Sequence, residues 1–267
     1  MTSADSDAKT LIFMSVDIAD ATSFKEKGHS LDDDPLWLEA FETFFKEVPL
    51  VLMGQIAMAF SKTEELPDIS VWKVIGDEIV FRAQARSVEE ALLITEAFYR
   101  TVVTYDARFV ERWPLRIRGC CWAARFPGRN IEIKIPEMAG VGYVDYLGPD
   151  VDLGFRLGSQ AGRGQVILSL NLAEALASLP ERRGMQFHYV DRKVLKGVFV
   201  GRPYPLILVT LPDCMPELWQ WEEDESQQLH ALRDEPPIDA VALVELASRI
   251  RTYLNRMCRL NIKLLEF

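Results

Sequence analysis

Apolar segments with the two-residue period of strands and the 3.6-residue period of helices alternate along this chain in the order β-α-β-β-α-β. That order constrains the fold more than any other feature. Residues 10–18 (TLIFMSVDI) read as a buried strand that carries an aspartate at its end. Asp32, Asp33 and Asp34 fall in a loop, and Asp34-Pro35 makes a helix start, with a capping acid and proline at the first helical position. Trp37, Phe41, Phe44, Phe45 and Val48 recur at helical spacing, and Pro49 is expected to kink or split that helix because it has no amide hydrogen to donate. Residues 69–75 and 77–83 pattern as short strands joined by a tight turn at Gly76. Ser87-Val88-Glu89-Glu90 is a capping box, opening a helix whose Ala91, Ile94, Phe98, Val102, Tyr105 and Phe109 share a face. Residues 115–124 alternate as a strand, with Leu115, Ile117, Gly119 and Cys121 on one side and Arg116 and Arg118 on the other.

Residues 131–135 alternate too. A helix over 148–161 is ended by Gly162-Arg163-Gly164; a strand at 165–169, a short helix at 171–178 and strands near 187–194 and 205–210 follow. The order predicts an α+β chain on a ferredoxin-like sheet, with helices on one face and further β and α elements after it. Residues 1–211 form the expected main domain. Residues 212–237, rich in acid and proline, read as a linker, and 238–267 as a C-terminal helix with an apolar stripe, expected to pack on its own domain.

Charge narrows the classes of function. With 30 lysines and arginines against 40 acids, the net charge of −10 argues against gripping a nucleic-acid backbone or an anionic membrane. Such a chain can still hold a triphosphate if metal ions neutralise it locally. The four cysteines contain no C-x-x-C pair and read as reduced core residues, and His29, His188 and His230 have no zinc spacing. Residues 1–9 are too polar and acidic for a secretory signal, and the longest apolar stretch, 48–60, is too short for a bilayer. A cytoplasmic location is expected.

Two aspartates carry the chemistry. Asp17 ends the first strand and Asp77 follows the Gly76 turn between the second and third. The first and third strands of a β-α-β-β sheet are neighbours, so their ends can hold two carboxylates side by side. Carboxylates that close repel, and divalent cations relieve the repulsion. On spacing alone a loop cap and a turn residue account for them better than a metal site does.

The motifs around them resemble those of class III adenylate and guanylate cyclases. Asp17-Ile18-Ala19-Asp20-Ala21-Thr22 resembles the family's D-I-x-G-F-T, and Lys73-Val74-Ile75-Gly76-Asp77 its K-x-x-G-D. Residues 145–157 (DYLGPDVDLGFRL) resemble D-x-x-G-x-x-V-N-x-A-x-R-L; residues 161–169 and Leu195-Lys196-Gly197 follow in the family's order. The resemblance covers residues 11–209 and implies a cyclase catalytic domain with an antiparallel central sheet.

It also implies roles. Asp17 and Asp77, with the Ile18 carbonyl, would bind two divalent metal ions, Mn²⁺ or Mg²⁺. Arg156 would stabilise charge developing on the α-phosphate, and Asp152 would contact ribose or phosphate. Lys73 and Asp145 hold the base-reading positions, and Lys196 is a candidate triphosphate contact. Lys73 and Asp77 flank one turn and would serve different sites, which implies a homodimer with composite active sites. Two positions depart from the family: Asp20 stands for its glycine in the phosphate loop, and Asp152 for its asparagine.

A lysine donor with an aspartate acceptor fits adenine, cytosine and uracil alike, so the pair does not choose the base. Residues 17–25 (DIADATSFK) and 37–45 (WLEAFETFF) resemble the bacterial Pycsar pyrimidine cyclases. This resemblance implies UTP, or else CTP, as substrate and cUMP or cCMP as a signal to an effector during phage infection. The aromatics of residues 37–45 are expected to be core. The alternatives are an adenylate cyclase using ATP and a catalytically silent cyclase-like binding module.

Overall fold

The computed structural model describes residues 8–27, 35–63, 65–136, 142–225, 228, 232 and 234–267. His29, Asp32, Asp33, Asp34 and His230 lie outside them.

β1 (Lys9–Ala19) is central in a seven-stranded sheet. It pairs antiparallel with β3 (Glu78–Ala85) on one side and β4 (Arg116–Phe126) on the other. β2 (Ile69–Ile75) forms one edge beside β3. Beyond β4 come β7 (Val166–Leu168), β9 (Pro203–Thr210) and β8 (Gln186–Val194), giving the order β2-β3-β1-β4-β7-β9-β8; only β4 and β7 run parallel. β5 (Ile131–Ile135) and β6 (Tyr143–Leu147) pair in a separate two-stranded sheet. The architecture is α+β with a mostly antiparallel sheet, as expected.

Helices cover both faces, where one was expected. α2 (Leu36–Ala59) packs on α3 (Val88–Arg112), and α3 lies on the sheet, where its Phe98 and Val102 meet Gly119 of β4. α4 (Pro149–Gly158) lies on the other side, with Gly154 against Trp122. Positions 119 and 122 point to opposite faces of β4. The first strand already hinted at this. Leu11 to Met14 are buried without alternation, the pattern of a strand covered on both sides.

Gly154 fits this position because it has no side chain. A methyl group there would lie 2.1 Å from the Trp122 ring, which is fully buried and stacks on Phe13 at 5.4 Å. Gly154→Ala is expected to cost about 1–3 kcal/mol by overpacking. Denaturant unfolding measures this, and a variant as stable as wild type would mean that α4 lifts freely off the sheet.

Several local expectations change. α2 continues through Pro49 without a break, held by Phe44, Val48, Leu52 and Ile56 in the core. Phe41 and Phe44 are core, as expected. The Ser87 side chain caps Glu90 N as a capping box requires, but the Glu90 carboxylate returns to Arg86 N, one residue further out. α5 (Leu170–Ala177) receives the C-terminal helix α7 (Ala240–Cys258), which buries Leu243, Ala247 and Leu254 on its own domain and pairs Arg251 with Glu174. The helix ends well before residue 267. Arg259 is left-handed at φ 54°, and the Asn255 side chain bonds both Ile262 N and Ile262 O, turning the chain away.

Residues 211–225 lie against the main domain. The short helix α6 (Gln220–Glu225) supplies Glu222, which accepts from Arg116 at 2.6 and 3.1 Å. Arg116 also donates to Asp106 at 2.8 Å and to Glu217 O. Arg116 was expected on the polar side of its strand, but it is 4% exposed, sealed in by these acids. Burial pushes the Asp106 carboxyl up to about 6 even with Arg116 beside it, while the arginine contacts hold Glu222 below the usual range despite its burial. Among the described residues no helix is long and apolar enough to cross a membrane.

Candidate active site

The sheet register brings the two aspartates together. Asp17 of β1 stands opposite Glu78 of β3, so Asp77, one residue earlier in the turn, lies beside it. Gly76 takes φ +64°, which lets the chain reverse in so few residues. The Ile18 amide donates to Asp77 O at 3.4 Å and ties the turn to β1. Burial raises the Asp17 carboxyl above its ordinary value, and the Asp77 carboxylate beside it adds to the rise; Arg118 opposes both. Glu78 is raised as well, mainly by burial, with the two aspartates contributing.

Two cations sit on these acids. Arg118 faces Asp17 from β4, donates through Nε to Oδ2 at 2.7 Å and brings a terminal nitrogen within 2.5 Å of the same oxygen. Lys25 of α1 (Ala21–Lys27) reaches within 3.9 Å of Asp77 and lies over the Phe41 ring. The sequence reading gave neither a role. The available signal was the pair of arginines on the polar side of residues 115–124.

A second polar pair forms between β2 and β6. Lys73 donates to Asp145 Oδ1 at 2.8 Å, although 72 residues separate them. Packing beneath explains the meeting. Trp72 and Tyr146 contact edge to face at 5.2 Å within a cluster that includes Phe13 and Phe126, and each carries its neighbour with it. A bulge between Val71 and Lys73 re-aims the strand, and Lys73 Nζ lies 3.9 Å from the Trp72 ring centroid.

Asp20 is left-handed at φ 61°, a conformation that glycine takes freely and aspartate tolerates. It accepts from Arg163 at 2.6 Å, so the loop before α1 keeps its bend and gains an ion pair. Asp152 and Arg156 are both exposed on α4. The helix runs toward the Asp17 end of the sheet, its last residue, Gly158, lying against Ser15 and Cys120.

The structure does not bring Lys196 to the aspartates. β8 is four strand positions from β1, about 19 Å at ordinary strand spacing. β8 also begins at the end of the sheet where β1 finishes, so Lys196, beyond its far end, lies at the opposite end from Asp17.

No protein-family model matches the chain, and no curated protein matches it. Solved structures do. The adenylyl cyclase CyaB from P. aeruginosa superposes with a TM-score of 0.57 at 14% identity, over 76% of this chain and 94% of that one. The fold is that of nucleotidyl cyclase catalytic domains. The guanylate cyclase domain of RhGC from Catenaria anguillulae, solved with GTP, gives 0.52 at 13% identity over 76% and 97% of the two chains. The guanylyl cyclase Cya2 gives 0.51 at 16% identity over 80% and 96%. In this cyclase fold the class III resemblance of the sequence and the three-dimensional likeness point the same way.

The acids fit divalent metal. They are hard oxygen donors held close, with burial and mutual repulsion raising Asp17, and cations already gather on them. Among the described residues no group of three or more His, Cys, Asp or Glu side chains is arranged to hold a metal ion. A site of two carboxylates completed by substrate phosphates and water suits Mg²⁺ or Mn²⁺.

Proposed function

We propose that the protein is a nucleotidyl cyclase that converts a pyrimidine nucleoside triphosphate, UTP before CTP, into the 3′,5′-cyclic monophosphate and pyrophosphate. The observation that carries this reading is the meeting of Asp17 and Asp77 at the ends of β1 and β3 within a cyclase fold. Asp17, Asp77 and the Ile18 carbonyl would hold two divalent metal ions, which supply activation of the ribose 3′-hydroxyl and charge neutralisation along the triphosphate. The 3′-oxygen attacks the α-phosphorus, and the bond from that phosphorus to the departing pyrophosphate breaks. Arg156 stabilises the charge that develops on the α-phosphate. Asp152, as an acceptor, takes a hydrogen bond from ribose. Lys73 donates to the base and Asp145 accepts from it, so the base takes the place of their mutual bond.

The active unit is a homodimer. Lys196 is remote from Asp17 within one chain, and its triphosphate contact therefore comes from the second copy. Exposed Val71, Val74 and Ile75 on edge strand β2, and Ile131, Ile133 and Ile135 on β5, offer apolar surface for that assembly. The pyrimidine choice rests on the resemblance of residues 17–25 and 37–45, and with it the role of the product as a signal in antiphage defence.

Incubation with ATP, GTP, CTP and UTP separately, with Mn²⁺ and mass spectrometry of the products, tests the reading. A cyclic pyrimidine nucleotide is expected. Cyclic AMP alone would keep the reaction and remove the pyrimidine and antiphage assignments. No product from a folded dimer would remove the cyclase reading in favour of a binding module.

A further inference from the structure

We infer that Arg118 is a built-in counter-ion of the candidate metal site: it holds Asp17 until divalent metal displaces it, and it then turns to the triphosphate. This rests on the cyclase reading of the same site.

The geometry is specific. Both Arg118 contacts fall on one oxygen, Oδ2 of Asp17. The pairing is set by register, since positions 17 and 118 are direct partners across β1 and β4, so the guanidinium meets this carboxylate whenever the strands are paired. A metal ion binding Oδ2 competes with a charge-assisted hydrogen bond and a close ion-pair contact on that same oxygen. The side chains of Arg118 and Asp17 are 27% and 23% exposed, so the guanidinium has a way out toward solvent and toward an incoming anion. A planar donor fork freed beside a metal-bound triphosphate matches phosphate oxygens. Lys25 does the same for Asp77 only loosely, at 3.9 Å.

The two halves of the role predict opposite signs. In Arg118→Met the competitor is gone, and Mn²⁺ should bind the nucleotide-free protein about fivefold more tightly, the scale of a partly exposed ion pair. The same variant should bind 3′-deoxy-UTP or 3′-deoxy-ATP, which have no 3′-hydroxyl to cyclise, about tenfold more weakly at saturating Mn²⁺. Arg118→Lys should fall between wild type and Arg118→Met in both titrations. A merely structural lesion weakens both affinities together, so opposed shifts measured by calorimetry are the signature. Unchanged or weaker Mn²⁺ binding in Arg118→Met, beside a wild type that binds, would overturn the counter-ion role alone. Unchanged binding of the 3′-deoxy nucleotides would overturn its turn to phosphate. Failure of wild type and variant alike to bind Mn²⁺ would overturn the metal site and this inference together.

Discussion

Asp77→Asn is expected to abolish cyclisation while leaving the chain folded. The carboxylate is half-buried, and its ion-pair contact is with Lys25 at a loose 3.9 Å, so little stability depends on it. Its removal also takes a like charge away from Asp17, whose carboxyl Asp77 helps to raise. The melting temperature should therefore stay level or rise in metal-free buffer. Turnover should fall at least about a thousandfold, or ~4 kcal/mol of transition-state stabilisation. A second reading separates the causes: Mn²⁺ should raise the melting temperature of wild type, because it binds the folded state, and should do so far less for the variant. Retained turnover would remove Asp77 from the metal site.

Arg116→Met should bring the largest loss of stability. The arginine is buried, and it holds Asp106, Glu222 and Glu217 O at once. Removing it leaves buried Asp106 without its cation and Glu222 with only Arg163 at 3.8 Å, and breaking a buried pair in this way costs about 3–5 kcal/mol. In a protein of this size that lowers the melting temperature by roughly 10 °C. It should also release residues 211–225, which would appear as early proteolysis there. Arg112→Met is the control, because its pair with Glu47 at 3.4 Å is largely exposed and contributes at most about 1 kcal/mol. An Arg116 variant within that margin of wild type would mean that solvent already reaches the network.

Some of this could be read from the chain and some could not, for physical reasons. That Asp17 and Asp77 meet was legible because a short strand pair with a glycine turn leaves few registers, and the apolar pattern selects among them; their metal-binding role came only from the family motifs. The buried face of α3 was legible for the same kind of reason, a long repeat at helical period. The meeting of Lys73 with Asp145 was suggested only by family resemblance, since no local rule links residues 72 apart. The second helical layer, the burial of Arg116 and the early end of α7 were missed. Each depends on a partner distant in sequence: Trp122 for Gly154, Glu222 for Arg116, Ile262 for Asn255. Lys196 was placed by motif order alone, and strand order put it at the far edge of the sheet.

The sequence by itself determined the succession of strands and helices, the turn that presents Asp77 and the acidic balance that argues against a nucleic-acid grip, because periodicity, turn chemistry and charge are local properties. Tertiary structure decided which charges meet. Arg118 falls on Asp17 and Arg116 into a buried cage although only Ile117 separates them, because the register sets position 118 opposite Asp17 and position 116 opposite Ala19, where Asp106 of α3 and Glu222 of α6 reach the guanidinium. Two arginines of one strand thus acquire different partners from the packing around them, which no local pattern encodes.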